Sequence, residues 1–200
     1  MRWRQAGILL AIGFCWLTSL TMPASANPPW DPDGRYTGGA PVGRGYALFG
    51  GRISPIPRTE VSYPANHAPG TIVINTGERR LYYILGQGRA LRYGIGVGRL
   101  GFTWAGVTAI SAKREWPDWT PPAQMLRRRP DLPRHMRGGP ENPLGARALY
   151  LGSSLYRIHG SNEPETIGQA VSSGCFRLTN EDVIDLYERA KVGSKVIVLR

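Results

Sequence analysis

Three observations predict a mostly β fold. Runs of β-branched and aromatic residues at 71–76 (TIVINT), 80–86 (RLYYILG), 90–98 (ALRYGIGVG) and 106–116 (GVTAISAKREW) follow one another across short, turn-rich joins. The chain carries 26 Gly and 17 Pro in 200 residues, a turn-rich composition. One segment, starting at Thr179, shows a well-formed helical apolar face.

In chain order, residues 1–26 come first. Arg2 and Arg4 precede an uncharged apolar run at 6–20, and Ala24, Ser25 and Ala26 supply small residues at a cleavage position. This is the pattern of a secretory signal peptide, and the run is shorter than the roughly 20 residues that span a bilayer. An uncleaved anchor is the alternative. Phe14 before Cys15 argues against a lipid anchor. Residues 27–70, rich in Pro, Gly and Arg, show no sustained period and are expected to form a linker or loosely wrapped arm that docks aromatics such as Tyr46 and Phe49. Residues 71–200 then form one domain.

Within that domain, turns at Gly77-Glu78 and Gln87-Gly88 join the first three strands as a meander of hairpins. The G-I-G-V-G run at 94–98 lacks the spacing of a dinucleotide loop, and no helical pattern follows it. After the strand at 106–116, the proline-rich stretch 117–145 reads as a long excursion over one face, with a short helix near 123–128 and the basic run Arg127-Arg128-Arg129. Such an excursion is either a binding loop or a solvated basic face. Two further strands are expected at 148–152 and 155–159. Thr179 to Asp182 caps the main helix, Gly193 ends it, and 195–199 (KVIVL) is the closing strand. The sum is five to seven strands, mostly antiparallel.

The formal charge is +11, falling to +9 when Arg2 and Arg4 leave with the leader. In an exported protein that balance suits an anionic envelope rather than nucleic acid. Cleavage also removes Cys15 and leaves Cys175 as the one thiol, so no internal disulfide or Cys-x-x-Cys redox pair is available. The scattered cysteine and histidines lack metal-ligand spacing, and no cofactor is expected. His67, beside Pro69-Gly70, and His135, between Arg134 and Met136, read as loop residues.

His159 and Cys175 are the chemical candidates. A thiol attacks carbonyls as its thiolate and needs a base; imidazole can take that proton and later give it to a leaving amine. His159 ends a predicted strand. Gly174 before Cys175 lets backbone approach a substrate closely. Amides around Ser173, Gly174 and Cys175 are candidate oxyanion donors. Arg177 can bias the thiol toward thiolate, hold a substrate carboxylate, or pair with Glu181 or another carboxylate. These residues point to an exported cysteine acyltransferase or hydrolase.

The run I-H-G-S-N, then V-S-S-G-C-F-R-L-T-N-E-D-V-I-D-L-Y, with N-P-L-G-x-x-A-L-Y-L upstream, resembles L,D-transpeptidase catalytic domains of the YkuD type over about 71–199. The resemblance implies a mixed β-sandwich with a catalytic groove, Cys175 as nucleophile, His159 as base, and the Gly160 carbonyl orienting the imidazole. Ser173 stands where many members have histidine, and R-L-G-F-T-W-A-G replaces a Thr-Pro-rich run. The implied activity is acyl transfer at the diaminopimelate–D-Ala bond of peptidoglycan tetrapeptide stems in the periplasm. It forms 3→3 crosslinks or attaches an envelope protein, by a chain expected to be monomeric. L,D-carboxypeptidase action and a noncatalytic peptidoglycan-binding module, gripping carboxylates with Arg177 and Arg127–Arg129, are the alternatives.

Overall fold

The consecutive β-branched residues Ile72, Val73 and Ile74, all buried, make Ile72–Asn75 an inner strand of the first half of the sheet. In the computed structural model, which describes residues 54–200, β2 (Ile72–Asn75), β3 (Arg80–Gly86) and β4 (Arg89–Gly94) form an antiparallel meander. The β3–β4 turn has Gln87 and Gly88 at φ 54° and 69°, the left-handed pair that lets a two-residue hairpin follow strand twist. The leader, Cys15, and the arm as far as residue 53, with Tyr46 and Phe49, lie outside the described residues.

The end of the expected arm is not free of structure. Thr59–Ser62 forms β1, antiparallel to β4 at the sheet edge. Three of its four residues are exposed, so it carries no hydrophobic alternation; the ladder with β4 holds it.

The closing strand β11 (Lys195–Leu199) enters between β2, to which it runs parallel, and β6 (Gly106–Glu115), to which it runs antiparallel. β6 is long enough to serve two partners. Its first half pairs with β11. Its second half, beyond an irregularity between Ile110 and Ala112, pairs with β7 (Arg147–Leu151). β8 (Arg157–His159) and β10 (Phe176–Arg177) follow, giving the order β1-β4-β3-β2-β11-β6-β7-β8-β10. β5 (Val97–Gly98) and β9 (Ala170–Ser172) make a separate parallel pair. Eleven strands are thus present among the described residues, against five to seven expected. The additions are two to four residues long, too short for a periodic signal. The expected run 90–98 divides because Gly96 N–H and C=O turn to Arg177 and Val97 N–H to Gln169.

Both halves close on one core. Ile72, Ile74, Leu81 and Tyr93 from one half meet Leu149, Leu151, Ile158 and Phe176 from the other. α2 (Asn180–Arg189) adds Val183 and Leu186. Each such side chain contributes about 1.5–3 kcal/mol by burial. The result is the expected mixed β-sandwich with one main helix. The Thr179 hydroxyl accepts the Asp182 N–H at 3.2 Å, and Glu181 and Asp182 occupy the positive end. The helix stops at Arg189 rather than Gly193, which instead turns the chain into β11 at φ 89°.

The excursion is ordered. It carries the short helix α1 (Ala123–Arg128), and Trp119 bridges Met136 through reciprocal backbone bonds of 2.8 Å. The Asn142 amide donates to the Pro117 and Arg137 carbonyls while Asn142 Oδ1 accepts the Leu144 N–H.

Candidate active site

Strand alternation places the first residues. Ile158 of β8 is buried in the core, so Arg157 and His159 stand on the opposite face. β10 runs parallel to β8 with Arg177 in register with His159, and Cys175 is the residue just before β10. Arg157, His159, Cys175 and Arg177 all line one groove of about 740 Å³. Trp119, Met125 and Arg128 of the excursion line it too, so that stretch is a wall of the groove rather than a detached basic face. His135 lies off the groove, 3.6 Å from Asp118, and the His67 ring lies tilted beside Tyr63, 6.3 Å between centroids.

The imidazole is held by the backbone. His159 Nδ1 lies 2.6 Å from the Gly160 carbonyl, so Nδ1 carries the proton and Nε2 is left unprotonated; the Leu144 backbone also bonds the ring. Gly160 itself is clamped: a side chain there would overlap Asn180 Oδ1 and press on Ala146 N and Val183 at 3.1 Å. Asn180 Oδ1 in turn accepts the Ala146 N–H at 2.9 Å.

The cysteine turn is built around Gly174, at φ 112°, where a Cβ would come within 2.5 Å of Tyr156 Cε1. Ser172 braces it. Its hydroxyl accepts the Gly174 N–H at 3.1 Å and donates to the Cys175 carbonyl at 2.6 Å. The Gly174 amide is therefore committed within the protein, which corrects its place among the oxyanion donors. The Ser173 and Cys175 amides have no protein acceptor among the described residues. Beneath the turn, Trp104 stacks on Tyr156 at 5.0 Å and packs against Phe176 at 5.9 Å. The R-L-G-F-T-W-A-G loop thus forms the floor under Gly174.

Electrostatics leave the pair neutral at rest. Burial and then the Arg177 charge push His159 down to about 3, against the pull of the Gly160 carbonyl. Burial pushes the Cys175 thiol up, and outweighs the Arg157 and Arg177 charges that pull it toward thiolate. The expected thiolate bias from Arg177 is present in sign but not decisive. Arg177 pairs with Glu163 at 2.9 Å, not with Glu181. The residues missed from sequence are Arg157, Glu163 and Ser172. Arg157 alone had a readable signal, since it stands two positions before His159 on one strand.

A mixed β-sandwich with one thiol among the described residues and a Gly-oriented histidine on one groove defines the class as a Cys–His groove protein. The chain belongs to the L,D-transpeptidase catalytic domain family: that family's model (YkuD) matches residues 69–198. It is 40% identical over 156 residues to the probable L,D-transpeptidase YbiS of Escherichia coli K12, covering 74% of this chain and 49% of YbiS. It is 39% identical over 137 residues to the probable L,D-transpeptidase ErfK/SrfK of the same organism, covering 64% and 43%. The chain thus spans about half the length of the curated relatives it matches. Among solved structures, an L,D-transpeptidase from Mycobacterium smegmatis shares the fold at TM-score 0.54 and 17% identity, over 66% of this chain and 59% of that one. The ertapenem-acylated catalytic domain of an E. faecium L,D-transpeptidase does so at 0.52 and 17%, over 68% and 100%.

Proposed function

We propose that the protein is a periplasmic peptidoglycan L,D-transpeptidase that uses Cys175 as nucleophile and His159 as base. The observation that carries this is the His159 Nδ1–Gly160 carbonyl bond, which leaves Nε2 unprotonated on the groove that Cys175 lines. From a neutral pair, the thiol proton passes to Nε2 as sulfur attacks the diaminopimelate carbonyl next to D-Ala. The Ser173 and Cys175 amides receive the developing oxyanion. An imidazolium with so low a pKa is a strong acid, so it gives its proton readily to the departing D-Ala amine. The C–N bond breaks, a Cys175 thioester remains, and an acceptor amine resolves it with His159 again as base. The acceptor is a stem diaminopimelate, giving a 3→3 crosslink, or an envelope protein; water makes the enzyme an L,D-carboxypeptidase. Residues 1–26 act as the export signal, and the enzyme works as a monomer.

Purified protein incubated with disaccharide tetrapeptides should release D-Ala and form dimers, and Cys175→Ala should abolish both. Intact-mass measurement with a carbapenem should give one adduct that Cys175→Ala loses. Full D-Ala release by Cys175→Ala would end this reading, and wall binding without any adduct would favour a noncatalytic binding module.

A further inference from the structure

The groove holds two arginines beside the reactive pair, and they differ in what they already hold. Arg177 is neutralised by Glu163 at 2.9 Å. Arg157 has no carboxylate partner among the described residues. A long 3.5 Å bond runs from its Nη1 to the Leu155 carbonyl, its side chain also bonds the Cys175 sulfur, and its Nε, like that of Arg177, is buried without a partner. The guanidinium lies over the Tyr150 ring at 4.9 Å, a contact set by the β7–β8 register that pairs Tyr150 with Arg157. Stacking of this kind holds a guanidinium plane in place while leaving its edge donors for an anion.

Arg157 is also close to the thiol. Its backbone N–H, its side chain and its charge all favour the Cys175 thiolate. A group in that position meets whatever flanks the carbonyl under attack. A half-buried guanidinium without a carboxylate partner gains charge-assisted bonds from an incoming carboxylate.

Resting on the acyl-transfer reading, we propose that Arg157 is the specificity residue for a free carboxylate next to the scissile bond, the terminal carboxylate of the departing amino acid. Arg177, occupied by Glu163, does not serve that role. The carboxylate is read through Arg157, and blocking it as an amide removes that contact.

Two measurements test this. In the first, D-Ala release from a tetrapeptide is compared with D-alaninamide release from its C-terminal carboxamide. The protein should prefer the free acid, and Arg157→Gln should lose about 10- to 100-fold of that acid-over-amide preference in kcat/KM, the worth of a charged hydrogen bond, while any effect on the thiol falls on both substrates alike. Arg157→Lys should restore part of the preference, whereas damage to the fold would lower both substrates together. The second needs no stem peptide. Cys175 is alkylated with iodoacetate or neutral iodoacetamide; in each, an S–C bond forms and iodide leaves. The iodoacetate-to-iodoacetamide rate ratio should fall about tenfold or more in Arg157→Gln and recover in Arg157→Lys. An unchanged ratio, or an acid preference that survives Arg157→Gln, overturns the proposal and leaves the Cys175 reading standing. If Cys175→Ala still released D-Ala, the acyl-transfer reading would fail instead, and the alkylation ratio would still decide whether Arg157 reads a carboxylate at the thiol.

Discussion

Ser172 and Cys175 are tied through one hydroxyl, which donates to the Cys175 carbonyl at 2.6 Å and accepts the Gly174 N–H at 3.1 Å. That single group fixes both sides of the strained turn at Gly174 and decides which amides remain for a substrate oxygen. The Ser172 side chain is therefore part of the geometry of the thiol although it touches no reacting atom.

Ser172→Ala should leave the Gly174 N–H and one lone pair of the Cys175 carbonyl unsatisfied in a buried turn. The expected cost is about 1–3 kcal/mol in thermal or denaturant unfolding, with kcat for D-Ala release falling more than KM rises. Ser172→Thr keeps the hydroxyl and should recover most of kcat. Equal loss in both variants would show that the volume at residue 172, not its hydrogen bonds, sets the turn.

Gly160 and Asn180 form a steric pair. Gly160→Ala should be strongly destabilising, because the added methyl has to displace Asn180 Oδ1 and press on Ala146 N and Val183. Asn180→Ala removes the acceptor of the Ala146 N–H and should cost about 1–3 kcal/mol. The double variant should cost less than the sum, since the second truncation makes room for the first methyl. A double-mutant cycle on urea unfolding reads this directly, and strict additivity would mean that the two residues do not share the space.

Much of this was legible in the sequence, and the reasons are local. β3, α1 and β11 were expected at 80–86, 123–128 and 195–199, where the structure places them, because a β-branched run or a short helical stretch between prolines is a self-contained signal. β5, β9 and β10 were not, because two or three residues carry no period and their pairing partners lie far along the chain. The same holds at the site. His159, Cys175 and Gly160 belong to one contiguous stretch, so motif and spacing found them. The Glu163 partner of Arg177, the Ser172 brace and the direction of the Cys175 shift depend on how a loop folds back and how much solvent it excludes. Its position two residues after Cys175 made Arg177 one candidate activator of the thiol; burial, a property of packing, outweighs its charge.

The neutral resting pair has a kinetic signature. With His159 held down near 3 and Cys175 raised, neither group titrates between pH 5 and 7. Alkylation of Cys175 by iodoacetamide should rise steadily with pH, with a midpoint above the roughly 8.5 of a free thiol and no step near 6.5. A rate plateau across pH 5–7, the mark of a preformed thiolate–imidazolium pair, would contradict this. His159 also links to stability. Its folded value is depressed below an unfolded value of about 6.5, so its contribution is present above that pH and is lost as pH falls from 6.5 toward 3.

Asp182, at the start of α2, titrates in the opposite sense. It is buried, Arg58 reaches its Oδ1 only at 3.5 Å, and its Oδ2 has no partner. Burial pushes its carboxyl up to about 6, despite the attraction of Arg58 and the Thr179 cap. Arg58 also reaches Asp185 at 3.3 Å, and Asp185 is further held by Arg189 and the Tyr93 hydroxyl. Neutralising Asp182 therefore leaves Arg58 a partner. For an acid whose folded value is raised, the unfolded chain sheds its proton first as pH rises. The wild-type protein then loses stability between about pH 4 and 6 through this group and stays lower above that range. Asp182→Asn removes that loss. Its unfolding free energy should match the wild type near pH 4 and exceed it above pH 7, by an amount on the order of 1–3 kcal/mol after the lost helix-dipole contribution. Asp185→Asn should do the reverse at neutral pH, because it strips a satisfied carboxylate from Arg189 and Tyr93. If both variants are destabilised alike above pH 7, the Arg58 bond to Asp182 is worth more than the burial of its charge, and the segment carrying Arg58 is anchored through Asp182 rather than Asp185.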